Sequence, residues 1–429
     1  MNETVKRNIP KPVPFTEVSY PEIESYKVTR QPSTMRVVET DLSGKQEIAI
    51  IFKRTYTFTH AKTCIPADEQ APINEDAVTH EEISPEVSPS FKFLSELVPF
   101  KTGTDLVVQA SAMSRNPVTQ MEVSVQVNKH LQQAIVYGDR HCDFVGAKLV
   151  FTPPAPFTEL PLRYENAYGG RDTSFEKGVI EELEKMADKD ELRKVRPAAE
   201  AVFGGYNPLA YPRNRFGKGY ILEDRQEKIE GRALPNIERP GDTLDPERIR
   251  LDNPLNWYRQ PVPVGFDYLD PGTFPRSAML GLPPPVANNA PVPREVSIGL
   301  IPEDYCKGNM FATKPENWAD LIHPMATRSA SLGLWLPFLR GNETIVLSNM
   351  DLEHSQYLVS LPGERPEFNV PTLPPKAQDI NAELFLVHVS MVEKKLYLVW
   401  VGRFPREKTF TPKDLLELED QVSVKMKGV

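Results

Sequence analysis

The sequence predicts a mainly β protein: packed antiparallel sheets, β-sandwich-like, with a helical insertion and long Pro-rich irregular segments. Three observations carry this. Proline is in excess, at 42 of 429 residues, roughly twice the usual share of about 5%. Because proline fixes φ and lacks a backbone donor, such an excess disfavours a mostly helical chain and favours turns. Several stretches alternate apolar and polar residues with period two, the mark of a strand with one buried face. The one long stretch with helical spacing begins after Gly170.

Taken in order, residues 35–38 read as a strand, with 48–58 as its partner. Ile48, Ile50, Phe52, Tyr56 and Phe58 fall on one face of the second strand, with Arg54 the exception. Asp41, Leu42, Ser43 and Gly44 supply the expected turn. Residues 66–89 hold seven acidic residues, four prolines and no Lys or Arg, which predicts an exposed excursion between strands. The cleanest strand is 121–128, where Met121, Val123, Val125 and Val127 alternate with polar residues. With 106–110 before it and 134–137 and 148–151 after it, an antiparallel meander is expected.

Residues 174–199 are charged, with Ile180, Leu183, Met186 and Ala187 at helical spacing, and a second helix is expected over 191–201. Residues 206–294 are dense in proline, glycine and charge. Their aromatics Trp257, Tyr258, Phe266 and Phe274 follow no period and predict ordered, irregular chain pinned by aromatic anchors. Strands return at 344–347, 356–361, 383–391 and 395–401, the last two as a hairpin turning at Val392, Glu393 and Lys394. Short helices are expected at 316–322 and 413–419. The regions are an N-terminal β part (1–172), a helical insertion (173–205), a Pro-rich belt (206–294) and a C-terminal β part (295–429) of one composite domain.

A net charge of −9 argues against a general nucleic-acid binder, which needs a concentrated basic face. Cys64, Cys142 and Cys306 are few and far apart, with neither disulfide-framework nor zinc spacing. No apolar leader or membrane-spanning run is seen, so the expectation is a reduced, cytoplasmic protein without membrane contact.

His141, Cys142 and Asp143 are the residue types of a nucleophilic site, but neighbours on an extended chain point to opposite faces. The seven histidines show no HExxH or paired spacing, so no metal is expected. The glycine pairs Gly169-Gly170 and Gly204-Gly205 and the segment Gly217-Lys218-Gly219 fit no phosphate-binding pattern, and no cofactor is expected. Arg213, Arg215 and Lys218 with Tyr211, Phe216 and Tyr220 form a basic–aromatic patch that could stack on and neutralise a nucleic-acid strand, but the overall acidity and the nearby Glu223 and Asp224 oppose that. Asp139, Arg140, Arg163, Glu165, Arg171 and Asp172 crowd around one loop. They read as a structural ion-pair network, or else as the acid/base centre of a hydrolase or effector-modifying enzyme built on Asp139 and Glu165.

The same residues resemble a bacterial family catalogued as a domain of unknown function. The resemblance rests on Gly138-Asp139-Arg140, Pro156-Phe157, Leu160-Pro161-Leu162 and the run Tyr164-Glu165-Asn166-Ala167-Tyr168-Gly169-Gly170 with Asp172. Upstream, residues 95–105 resemble the family's Asp-Leu-Val-Pro-x-Lys-x-Gly-Thr-Asp segment, with Glu96 where Asp is usual. Downstream, residues 214–220 resemble its Asn-Pro-x-Gly-x-Gly loop, with Arg215 in place of proline. Leu234-Pro235-Asn236-Ile237-Glu238, Pro263-Val264-Gly265-Phe266 and Leu361-Pro362-Gly363 also fit, while Val401 stands where arginine is common.

The resemblance implies a Gram-negative type VI secretion adaptor or chaperone, encoded beside VgrG, PAAR and effector genes. Such a protein binds a secreted effector and promotes its loading onto the VgrG–PAAR spike without catalysis. On that reading Asp139, Arg140, Glu165, Tyr168, Gly169, Gly170, Asp172, Asn214, Gly217 and Gly219 are structural motif residues. Leu183, Met186, Tyr211 and Phe216 are the candidate partner contacts. A third reading, an envelope- or carbohydrate-binding β module, would require an exposed aromatic platform and export. The oligomeric state is not legible in the sequence.

Overall fold

The computed structural model describes residues 33–40, 47–82, 88–186, 209–251, 254–279, 294–300, 323–371, 380–405 and 410–429. The expected turn at 41–44, the helices at 191–201 and 316–322, the pair Gly204-Gly205 and Cys306 lie outside the described residues.

The longest pairing in the molecule joins Glu47–Thr57 to Lys395–Pro405 in unbroken antiparallel register, from Glu47 opposite Pro405 to Thr57 opposite Lys395. Around it a seven-stranded sheet forms in the order Met35–Thr40, Glu47–Thr57, Lys395–Pro405, Ala382–Ser390, Thr104–Gln109, Trp335–Leu336, with Ile65–Pro66 beside Glu47–Thr57. Ala382–Ser390 runs parallel to Thr104–Gln109; every other pair in this sheet is antiparallel.

A second sheet has five strands, in the order Ile237–Glu238, His130–Tyr137, Gln120–Val127, Thr344–Ser348, Gln356–Ser360, all antiparallel. Val123, Val125 and Val127 of this sheet share one buried cluster with Ile51, Leu106, Val387 and Leu398 of the first. The two sheets therefore pack through a common apolar core, as expected for a mainly β chain. On the far side of the first sheet, Ile48, Ile50 and Phe404 meet Phe368 and Leu418. Those two come from a ribbon of Glu364–Asn369 with Ser423–Gly428, and from the helix Pro412–Gln421. That helix starts with a capping box between Thr411 and Asp414, which satisfies orphan donors of its first turn.

The sequence expectations fare unevenly. Gln120–Val127 shows the predicted alternation, and the chain turns at Asn128, whose φ of 51° suits asparagine. The C-terminal hairpin turns where expected, with Lys394 at φ 50°. The meander, however, does not form as a unit. Thr104–Gln109 joins the other sheet, and Lys148–Phe151 pairs only with Cys142–Val145. Glu47–Thr57 buries both faces rather than one, because it is central and covered on both sides. The acidic excursion is exposed along much of its length but pinned by buried Ile73 and His80. The helix expected after Gly170 spans Thr173–Met186. The irregular belt is pinned as predicted: Trp257, Phe266 and Phe274 are buried.

Candidate functional site

The charged loop residues come together, yet each acid has its own partner. Arg140 is buried, donates to the Pro235 carbonyl at 2.9 Å and to Glu238, and lies 4.0 Å from the Tyr137 ring centre. Asp139 accepts from the Asn236 amide side chain at 3.1 Å. Glu165 accepts from the Ser90 amide and hydroxyl at 2.6 and 2.7 Å. Asp172 is fully buried. Its Oδ2 accepts from the Leu222 and Glu223 amides, both at 2.9 Å, and its Oδ1 faces the Phe175 amide at 3.1 Å and Arg232 at 2.7 Å. It therefore caps the helix Thr173–Met186 and ties it to the belt.

Asn214 locks the glycine loop. Its side-chain amide donates to the Tyr164 and Tyr168 carbonyls at 2.9 and 3.1 Å, and its Oδ1 accepts from the Phe216 amide. Tyr168-Gly169 and Lys218-Gly219 form a short parallel bridge. Gly169 and Gly170 have φ of 145° and 93°, and a Cβ on Gly170 would stand 2.0 Å from the Gly217 carbonyl oxygen. Only glycine serves there, for both conformation and space. The loop is a backbone-to-backbone clasp.

Two of the expected partner contacts are corrected. Tyr211 is fully buried, donates to the Pro261 carbonyl at 2.8 Å and packs on Tyr168 and Trp257. Phe216 is buried edge-on to Phe91. Neither ring is open to a partner, because neighbouring chain packs over both. Arg213 is buried too, donating to the Glu295 and Val296 carbonyls, and Arg215 pairs with Asp270. Leu183 and Met186 lie on the helix Thr173–Met186, but their side chains fall outside the described residues.

Cys142 is buried while His141 and Asp143 are exposed, so the three do not converge. Burial pushes the Cys142 thiol up to about 12, far from a reactive thiolate at neutral pH. Asp139, Glu165 and Asp172 are matched to the donors above rather than to Cys142.

A cluster the sequence reading passed over lies deeper. Lys101 Nζ is 2.5 Å from Asp105 and 3.0 Å from the Ser329 hydroxyl, and Arg328 Nε is 2.6 Å from Asp105. Burial alone would raise Asp105, but Lys101 and Arg328 overcome it and hold the carboxyl below its usual range. Nearby, Lys53 Nζ lies 2.9 Å from each oxygen of Glu96, and only the Oε2 contact has hydrogen-bond geometry. The adjoining cavity measures about 10 Å³, room for one water. The Lys101-Ser329 pair thus has no substrate-sized space beside it. Its signal was present as Lys101-x-Gly103-Thr104-Asp105, quoted above only as a family segment.

A larger concavity lies elsewhere, an open groove of about 750 Å³. One side is the turn after Thr344–Ser348, with Met350, Asp351, Leu352, Glu353 and His354. The rest of the lining is the hairpin tip Met391, Val392 and Lys394, the segment Thr59, His60 and Lys62, and Met113 and Glu159. Met350 and Met391 are buried, whereas Leu352 is 49% and Val392 82% exposed. Asp351 accepts from His354 Nδ1 at 3.1 Å and faces Lys394 Nζ at 3.3 Å. The His60 and His354 rings stack at 3.8 Å. They come from opposite ends of the chain, so no sequence spacing could have paired them. Among the described residues no group of three or more His, Cys, Asp or Glu is placed to hold a metal ion. Nor, among them, is any helix long and apolar enough to cross a membrane.

Buried acids matched to backbone donors, a glycine clasp and an open groove thus sit on a mainly β fold. Residues 43–401 match the family described as "Uncharacterized protein conserved in bacteria (DUF2169)", and the chain belongs to that family. The comparisons with curated proteins and with solved structures gave no match.

Proposed function

We propose that this chain is a cytoplasmic type VI secretion adaptor. It binds a cognate effector and promotes its loading onto the VgrG–PAAR spike, without catalysis. The secretion context rests on the resemblance of the sequence motifs. The observation that supports a gripping role is the groove, whose lining combines buried Met350 and Met391 with exposed Leu352 and Val392. Methionine is unbranched and polarizable, so a lining with methionine adapts to varied apolar side chains. An apolar centre with a charged rim, here Lys62, Glu159 and Glu353, is the usual make-up of a protein-binding patch. The motif acids, in contrast, are matched to backbone donors and leave no free carboxylate for proton transfer among Glu165 and Asp172.

Co-expression of the chain with the products of neighbouring effector, VgrG and PAAR genes tests this. A stable complex with an effector, and loss of that effector from the secreted fraction on deletion of the gene, are expected. Purified protein that captures none of them, with secretion intact in the deletion strain, would end the adaptor reading.

A further inference from the structure

The groove contains a device that the adaptor reading does not require. Leu358, on the outer strand Gln356–Ser360, points its amide away from Thr344–Ser348, and that amide donates to His60 Nδ1 at 3.1 Å. A backbone N–H can only donate, so His60 Nδ1 must be an unprotonated acceptor and the ring proton sits on Nε2. The segment after His60 continues this edge, with the Ala61 and Cys64 amides donating to the Leu358 and Ser360 carbonyls at 3.0 Å each. An imidazole thus fills one backbone position in the closure of a sheet edge.

His354 is held in the opposite sense. Its Nδ1 lies 3.1 Å from Asp351 Oδ1, and a carboxylate only accepts, so His354 Nδ1 carries a proton. The rings stack at 3.8 Å with 24° between their planes. With His354 charged at Nε2 and balanced by Asp351, a further proton on the pair has only His60 Nδ1 to take. It removes the acceptor of the Leu358 amide and sets two imidazolium rings face to face, which like charges at this distance oppose.

We infer that the stacked His60–His354 pair is a pH-dependent latch that releases the sheet edge at Leu358, beside the groove, when His60 takes a proton. The charged and titratable groups facing the pair are Asp351 and Glu353 on its own turn, Lys394 from the hairpin tip, Lys62, Tyr357 and Glu159. Lys394 is already engaged by Asp351 Oδ2, and its Nζ lies 4.3 Å from the Tyr357 ring centre. Asp351 is therefore shared between one cation and one imidazole, and it cannot neutralise a second imidazolium. A proton on His60 Nδ1 and the hydrogen bond from the Leu358 amide exclude each other, so acid favours the open latch. As a regulator of docking it rests on the adaptor reading; as a rearrangement of the free protein it does not.

Hydrogen exchange of the Leu358 amide in the free protein, expressed as protection over the unstructured rate at each pH, reads the latch directly. Protection is expected to fall at least ten-fold from pH 7.5 to pH 5.0, while Leu347 on the inner strand stays protected. In His60→Asn the side-chain oxygen can stand where Nδ1 stood and takes no proton, so protection should not change with pH. His354→Phe keeps a stacked ring without charge and should reduce the fall at least three-fold. Constant protection in the wild type, or an equal fall in His60→Asn, overturns the latch. Affinity for the co-purified effector at the two pH values is the second arm. A loss at pH 5.0 that His60→Asn abolishes supports regulation, and equal affinities overturn it. A chain that binds no effector at any pH defeats the adaptor reading while the exchange result still decides the latch.

Discussion

Around Gly169 the acids Glu165 and Asp172 are buried and matched one by one to donors; around Val392 charged groups stand at the edge of water and share partners loosely. Asp172 gathers two backbone amides on one oxygen, and Glu165 takes both donors of Ser90. At the groove, Asp351 divides itself between His354 and Lys394, and among the described residues no ion pair is seen for Lys62. The contrast separates two meanings of a charged residue. A buried acid whose lone pairs are filled by backbone donors fixes chain path, because leaving it or its partner alone costs the desolvation of both. An exposed one costs little where it is and remains available to another molecule.

The contrast is broken most directly at the brace. Asp105→Ala leaves Lys101 and Arg328 buried without their carboxylate. Removing one partner of a buried pair costs about 3–5 kcal/mol, and urea unfolding should show a loss of that size. A change below about 1 kcal/mol would mean that Lys101 and Arg328 find other partners and that the cluster does not brace the sheet.

A second measurement uses acid. His388 lies in the strand Ala382–Ser390, fully buried, with Nε2 lacking a hydrogen-bond partner and Nδ1 3.4 Å from the Tyr268 hydroxyl. Burial, aided by Lys53 and Lys92, pushes its imidazole from 6.5 down to about 3. The unfolded chain binds that proton more readily than the folded one. The stabilisation is therefore present above pH 6.5 and is lost as pH falls toward 3. Buried Glu96 and Asp267, whose carboxyls burial raises, work in the opposite direction. Comparison with His388→Phe isolates the histidine: between pH 7 and pH 5 the wild type should lose about 1–2 kcal/mol more than the variant. Equal acid sensitivity of the two proteins would show that His388 is not kept neutral by its surroundings.

How much of this was legible depended on distance along the chain. Gln120–Val127 and the hairpin at Val392 were readable because period two and a short turn are local properties. The parallel pairing of Ala382–Ser390 with Thr104–Gln109 was not, since no local pattern names a partner that far away. Burial of Tyr211 and Phe216 was misread for a related reason. An aromatic in irregular chain looks the same in sequence whether the chain folds over it or presents it. Gly169-Gly170 and the clustered acids announce a tight, polar loop. Their actual donors, the amides of Ser90, Leu222 and Glu223, carry no side-chain signal at all. The groove left no motif.

The smallest effect on stability is the most informative about function. Val392 and Val145 are both valines at exposed hairpin ends, 82% and 70% exposed. Val392 lines the groove, whereas Val145 ends a ribbon whose Phe144, Leu149 and Phe151 pack on the core containing Tyr168 and Tyr211. Surface substitutions of this kind shift stability by about 0.5 kcal/mol or less, so Val392→Glu and Val145→Glu should unfold like the wild type. In effector binding they should part. Val392→Glu puts a charge against an apolar partner surface and should weaken binding at least ten-fold, about 1.4 kcal/mol, while Val145→Glu should leave it unchanged. The reverse result would place the partner on the side of the glycine clasp. Bracing and binding would then belong to the same face, and the division drawn between the two regions would be gone.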